Sequence, residues 1–340
     1  MKIAVLGTIS GNLRQAYPHD YEGREHPTHL QRAKKALEER GHKARIIDAT
    51  PKSIIGLKGF DVVVNFCDEF LCSPLFEPHA AALLDMTGIP YTGNDYFALA
   101  LCLDKPFTKK VLLQNKIETP QYQVFDTAMG KPDSGMTFPM IVKPARQDAS
   151  IGIRNNAVVR TPAQLKRKVV EVITKYGQPA LVEEYVEGRE FSVAVLGCGD
   201  KLNALPISEI DFSRLPAQYE KICSYEAKWE TRSELFKRTP PVCPANVDGW
   251  LRQKLIAAAK AAYAVTNCRD YARIDFRVDS KGKPYVLEVN PNPDLSDDAG
   301  LANMAQKSGL GYGDLLLTLI AICIERNRKW TMGQGRQSNS

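Results

Sequence analysis

Ala272-Arg273-Ile274-Asp275-Phe276 and, eleven positions on, Leu287-Glu288-Val289-Asn290-Pro291-Asn292 decide the fold of this chain. Successive side chains of a β-strand point to opposite faces, so Arg273 and Asp275 share one face and Glu288 and Asn290 share another. Ser280-Lys281-Gly282 between the stretches supplies turn residues, and the two strands read as a hairpin. Apolar Ile274, Phe276, Leu287 and Val289 alternate against the polar set and fit the core side. Pairing would then converge two carboxylates, an amide and a guanidinium. Oxygen ligands of this kind suit Mg²⁺, which binds through one or two carboxylates together with substrate phosphates.

Upstream of the hairpin, residues 247–265 read as a helix and 211–244 as a long polar segment. A segment of that length without periodicity is more often a functional loop or lid than a connector. Residues from 191 read as a second hairpin turning at 198–201, and 181–186 as a strand. Thr161 and Pro162 open a helix as N-cap and first helical residue, and Gly177 closes it. Strands at 121–125 and 140–143 follow a helix at 105–114. Nearer the N-terminus, strands at 2–6, 44–48 and 61–66 alternate with helices at 29–40 and 76–86, the rhythm of a parallel sheet with right-handed crossovers. Residues beyond Trp330 are rich in Gly, Gln, Ser and Asn and predict a disordered tail.

The bulk properties bound the function. The chain has 340 residues, 44% apolar and 25% charged, an ordinary globular composition of two or three units. A formal charge of +6 includes Arg326, Arg328, Lys329 and Arg336 near the C-terminus, which leaves no nucleic-acid footprint elsewhere. The 8 cysteines are scattered, without CxxC pairs or histidines at zinc spacing. MKIAVLG runs into structure without a signal-peptide pattern, and the longest apolar run, 315–324, is too short to span a bilayer. These features point to a reducing cytoplasm and to no nucleic-acid or membrane partner.

The pair ARIDF and LEVNPNP resembles the metal-binding core of the ATP-grasp superfamily, specifically its D-alanine–D-alanine ligase branch. FPMIVKPARQDASIGI is similar to that family's strand, lysine and glycine loop, LVEEYVEGREFSVAVLG to its adenine hinge and ribose-binding strand, and SYEAKW to its lid. The matches run from about Asp104 to the last helix. The resemblance implies α/β and α+β architecture, an ATP-grasp fold with an N-terminal Rossmann-like (pre-ATP-grasp) domain. The expected divisions are 1–103 for that domain, 104–189 and 190–327 for the two ATP-grasp subdomains, and 328–340 for a disordered tail.

Carried residue by residue, the resemblance makes Asp275, Glu288 and Asn290 the ligands of two Mg²⁺ ions, with Mn²⁺ as a substitute, and Arg273 the group beside the reacting centre. ATP would be held by Lys105 and Lys143, by Ser150, Ile151 and Gly152 of the loop, by Glu183, Glu184 and Val186 at adenine, by Glu190 at ribose and by Lys228 from the lid. Ser150 and Lys228 join Arg273 as catalytic candidates. The implied partners are a small-molecule carboxylate and an amine joined through an acyl phosphate, and the family's homodimers are a precedent for assembly.

The substrate half departs from the family pattern. D-alanine–D-alanine ligases have a first loop with a glutamate for the substrate ammonium and a second loop rich in His, Gly and Glu. This chain has GTISGNLRQAYPHDYEGREH and NFCDEFLCSPLFEPH, with Glu22, Glu25, Glu69, Glu77 and His79 as replacements. Asp294 stands where the family has an oxyanion-binding glycine, and Ser296-Asp297-Asp298-Ala299 follows where it has a carboxylate-binding serine. The expectation is a carboxylate–amine ligase with an altered substrate. The alternatives are a D-alanine–D-alanine ligase of peptidoglycan precursor synthesis, a small-molecule kinase on the same fold, and an ATP-binding module without turnover, against which the intact Arg273, Asp275, Glu288 and Asn290 set argues.

Overall fold

The computed structural model describes residues 1–9, 26–71, 73–127, 133 and 135–337. Strands β1 (Lys2–Gly7), β2 (Lys43–Asp48) and β3 (Val62–Asn65) form a parallel sheet in the order β2-β1-β3. Every residue of β3 is buried, as expected of a sheet covered on both faces. Helix α1 (His26–Glu38) packs Leu30, Ala33 and Leu37 on it, and α2 (Pro51–Ile55), α3 (Glu77–Thr87) and α4 (Tyr96–Leu103) complete the unit. Gly88 ends α3 in the left-handed conformation, φ 68°, which glycine adopts without strain.

Asp104 caps α5 (Lys105–Gln114) by accepting from the Phe107 amide at 2.9 Å. A four-stranded antiparallel sheet follows, in the order β4 (Tyr122–Phe125), β7 (Ala180–Glu184), β5 (Met140–Pro144), β6 (Val158–Val159). Helix α6 (Pro162–Tyr176) covers it with Leu165, Val169 and Val172; Thr161 caps its start and Gly177 its end, as the sequence predicts.

The largest sheet is built on β8 (Arg189–Cys198). One of its edges pairs with β9 (Lys201–Ala204) near one end and β10 (Ser208–Ile210) near the other, and the opposite edge pairs along β12 (Asp270–Val278), which pairs in turn with β13 (Pro284–Asn290). The expected lid, 211–244, is folded rather than bare loop: it carries α7 (Tyr225–Trp229), α8 (Glu234–Arg238) and β11 (Pro241–Val242), which pairs with β10. Helix α9 (Gly249–Val265) covers the sheet with Leu255, Ala259 and Ala262.

After β13 come α10 (Gly300–Lys307) and α11 (Tyr312–Gln337). Leu315, Leu316, Leu319 and Ile320 of α11 share a core with Ile3 and Val5 of β1 and with Ala194 and Tyr271 of the large sheet, so one apolar cluster joins the two ends of the chain. The backbone is helical to Gln337, where the sequence predicts a disordered tail from residue 328, and residues 338–340 lie outside the described residues. Adding residues to an anchored helix costs little once it is nucleated. Among the described residues no single helix is long and apolar enough to cross a membrane.

Candidate active site

The hairpin forms with Arg273 opposite Asn290 and Asp275 opposite Glu288. Asp279 secures its turn, its carboxylate accepting from the amides of Lys281 at 2.9 Å and Lys283 at 2.8 Å, and Gly282 takes φ 73°. The register then slips: Asp275 faces Glu288 but Phe276 faces Val286, so Leu287 is the extra residue of a β-bulge. The bulge corrects the strict alternation read from sequence. Val286, not Leu287, enters the core, and Leu287 lines the cleft beside Glu288.

That cleft has a volume of about 1060 Å³ and is bordered by the hairpin, the 148–151 loop, the end of β7 and the lid. Arg273 grips Asp275 with Nε and one terminal nitrogen, each at 2.8 Å, and Ser192 donates to the same carboxylate at 2.7 Å. Lys105 is almost fully buried; its ammonium lies 2.6 Å from Asp148 and 3.4 Å from Glu288. The Lys105 amide donates to the Ala145 carbonyl at 3.1 Å, which fastens the start of α5 to the end of β5, the strand that carries Lys143.

The charges are strongly biased by this packing. Burial opposes ionisation of Glu288, but Lys105 above all, with a hydrogen bond from Asp148 and the charges of Lys143 and Lys228, holds its carboxyl down to about 2. For Asp148, burial and the Glu288 charge outweigh Lys105 and push it up to about 6. Burial pulls Lys228 below the usual lysine range, and Arg273 adds to the effect. Burial pushes Glu190 up against the pull of Arg277.

The nucleotide-side candidates divide. Glu183 is fully buried, its two oxygens held by Lys109 at 2.6 Å and by Lys143 at 2.7 Å. Its carboxylate is therefore committed to two lysines, contrary to a direct side-chain contact with adenine. Glu184 lines the cleft, and one of its carboxylate oxygens accepts from the Thr137 amide and hydroxyl at 2.9 and 3.1 Å. Val186 and Glu190 line the cleft as expected.

In the loop, Ala149 and Ser150 take φ 56° and 62° and Gly152 φ 81°. A β-carbon on Gly152 would fall 2.6 Å from Pro144 Cγ, so only glycine lets the loop fold back against β5. Ile151 lines the cleft, its amide bonded to the Asp148 carbonyl at 3.0 Å. The lid is fastened to this loop: Trp229 Nε1 donates to the Ala149 carbonyl at 2.8 Å, Ser150 Oγ to the Cys223 carbonyl at 2.9 Å, and Arg154 meets Glu226 at 2.8 Å. Lys228 and Arg273 border the same cleft.

At the other end the cleft is acidic. Asp68, Glu69, Glu77 and Asp294 line it. Asn292 donates to Glu77 at 2.5 Å, but burial, Asp148 and Asp68 raise that carboxyl well above the usual range. His79 is exposed, packs edge-on against Phe76 at 5.2 Å and does not line the cleft. Glu22 and Glu25 lie outside the described residues. Asp294 accepts from the Ser296 amide and hydroxyl at 2.9 and 2.6 Å.

Three contributors escaped the sequence reading although the signal was present. Lys109 lies four residues after Lys105, hence on the same face of α5. Ser192 and Arg277 lie two residues after Glu190 and Asp275 and share their strand faces.

Oxygen donors for a divalent cation are in place. Among the described residues no group of three or more His, Cys, Asp or Glu is arranged for metal, so a cation here would draw on Asp275, Glu288 and the Asn290 amide. Arg273 and Ser192 together fill both lone pairs of Asp275 Oδ1, while Oδ2 accepts only from Arg273 and keeps one lone pair. So few protein oxygens fit Mg²⁺ that takes its remaining ligands from phosphates and water.

Comparison with known proteins agrees with this geometry. Residues 111–321 match the family described as D-ala D-ala ligase C-terminus. The chain is 31% identical over 301 residues to an uncharacterized protein, y4sG, of Sinorhizobium fredii, covering 86% of each chain. It is 30% identical over 240 residues to the D-alanine–D-alanine ligase of Bordetella pertussis, covering 70% of this chain and 71% of that one. The D-alanine–D-alanine ligase of Bacillus anthracis, solved in complex with ATP, superposes with a TM-score of 0.72 at 22% identity, covering 97% of this chain and 99% of that one, which establishes a shared fold.

Proposed function

Because the chain belongs to the D-alanine–D-alanine ligase family of ATP-grasp proteins, we propose that it is an ATP-dependent carboxylate–amine ligase acting through an acyl phosphate, with at least one substrate other than D-alanine. The observation that carries this reading is the meeting of Arg273, Asp275, Glu288 and Asn290 with Lys143 and Lys228 in one cleft, backed by Lys105.

In this reading ATP lies with its base at the backbone of Glu184 to Val186, its ribose at Glu190, and its phosphates beneath the 148–152 loop between Lys143 and Lys228. Mg²⁺ held by Asp275, Glu288 and Asn290 would neutralise charge on the phosphates. A substrate carboxylate oxygen bonds to the γ-phosphorus as the bond to the ADP oxygen breaks. The amine then bonds to the acyl carbon, inorganic phosphate leaves, and the nitrogen gives up a proton. Arg273, fixed in plane by Asp275, is placed to bind the oxyanion of that second step, a role for which pre-oriented donors are effective. Glu183 acts through Lys143, and Ser150 holds the lid strap at Cys223 in place of touching substrate.

The altered substrate rests on the acidic end of the cleft. Asp68, Glu69 and Asp294 disfavour a free carboxylate there by like-charge repulsion and favour a cationic amine, and Glu77, its carboxyl raised by burial, ionises only against such a cation. ADP and phosphate release with Mg²⁺-ATP across D- and L-amino acids, other amines and acids, with products weighed by mass spectrometry, tests the proposal. A new amide other than D-alanyl-D-alanine is expected. D-alanyl-D-alanine as preferred product would overturn the altered substrate, and a stable phosphorylated product would overturn the ligase.

A further inference from the structure

Arg277 is nearly fully buried at 3% exposure, on the same face of β12 as Arg273 and Asp275, and lines the cleft. Ile274, Phe276 and Val278 take the opposite face into the core, which is why a guanidinium here must point toward the nucleotide side. One terminal nitrogen donates to the Gly188 carbonyl at 2.8 Å; the other donates to the Lys221 carbonyl and to the Tyr185 hydroxyl at 3.4 Å. Nε lies 3.5 Å from Glu190 Oε2. The guanidinium also lies 5.4 Å from the centres of the Tyr185 and Phe212 rings.

Those partners come from separate parts of the site. Tyr185 and Gly188 follow β7, Glu190 is the second residue of β8, and Phe212 and Lys221 form the root of the segment that carries Lys228. A planar, permanently charged group with donors on three nitrogens fixes such partners in one arrangement, which a lysine's single ammonium cannot reproduce.

We propose that Arg277 is a positioning residue that couples the nucleotide side of the cleft to lid closure, setting Glu190 and the hinge in register with the root of the lid. The inference rests on reading this cleft as the ATP site. Nucleotide contact at Glu190 and the hinge stabilises the arrangement Arg277 needs, and Arg277 in turn holds Lys221 and Phe212 where α7 can fasten to the 148–152 loop. Loss of the fork leaves the lysines and carboxylates of the reaction centre in place but separates ATP binding from closure.

The test compares wild type with R277K and R277M. Mg²⁺-ATP affinity is measured by calorimetry, and lid closure by trypsin cleavage at the six basic residues of 211–244, from Arg214 to Arg238, with and without the non-hydrolysed analogue ATPγS. Nucleotide is expected to protect the wild-type lid. In R277K, which keeps the charge and stem, ATP affinity is expected to fall ~10-fold, the loss of about one charge-assisted bond, and protection to disappear while melting remains cooperative. R277M should lose at least as much, and if it fails to fold R277K decides. An R277K protein with wild-type affinity and protection overturns the coupling, whatever its melting temperature. Failure of the wild type to bind Mg²⁺-ATP overturns the nucleotide-site reading and this inference with it, whereas binding by wild type separates the two.

Discussion

Lys109 lies 2.6 Å from Glu183 in a place where the two side chains are 2% and 1% exposed, and Lys143 reaches the other oxygen of the same carboxylate. One buried acid thus orders two buried bases, one of which borders the cleft. Removing one member of a buried, hydrogen-bonded charge cluster costs ~3–5 kcal/mol because the remaining charge is left uncompensated.

Lys109→Met is therefore expected to destabilise the protein by about that amount and to weaken ATP binding through Lys143. The pH dependence supplies a sharper check. Burial above all, assisted by the Lys143 charge, brings Lys109 down to about 8 from 10.5, against the pull of Glu183. Between those values the unfolded chain binds more protons at this residue than the folded one, so its contribution to stability rises with pH across the window and is lost as pH falls through 8. The difference in unfolding free energy between wild type and K109M, from denaturant titrations at pH 7.5 to 10.5, should grow with pH. A flat or shrinking difference would contradict the assignment.

Arg273→Ala should lower turnover ~100-fold or more, the usual cost of losing a donor to a developing oxyanion, with ATP affinity largely retained. Arg273→Lys should recover little, since one ammonium cannot hold both oxygens of Asp275. Full turnover in R273A, measured by amide formation, would remove Arg273 from the reaction.

Trp229→Phe deletes the hydrogen bond from the lid to the Ala149 carbonyl while keeping the ring. One such bond is worth ~0.5–1.5 kcal/mol, so turnover should drop about twofold to tenfold with little change in melting temperature. More ATP should also be hydrolysed per amide formed, because a loosened lid admits water. An unchanged ratio of ADP to amide would count against the strap.

The parts of the site that could be read from sequence are those set by local periodicity. Arg273, Asp275, Glu288 and Asn290 lie on two strands joined by a short turn, and a period of two brings them together without knowledge of the rest of the fold. The bulge at Leu287 was not legible, because one extra residue changes the facing without changing the residue types. Nor was the commitment of Glu183, whose partners lie on α5 and β5, far away in sequence; only the four-residue spacing of Lys105 and Lys109 pointed that way. The fold was legible through the order of its motifs. The substrate end was legible only in part: Glu69, Glu77 and Asp294 could be singled out, but no periodic pattern separated them from His79, which stays outside the cleft.

Activation of the carboxylate as an acyl phosphate leaves an isotopic signature. The acid substrate found by product screening is labelled with ¹⁸O in its carboxylate and turned over with Mg²⁺-ATP and the amine. An acyl phosphate route puts one labelled oxygen into the inorganic phosphate released for each amide formed, because the oxygen that attacks phosphorus leaves with it. Unlabelled phosphate alongside amide would contradict the acyl phosphate.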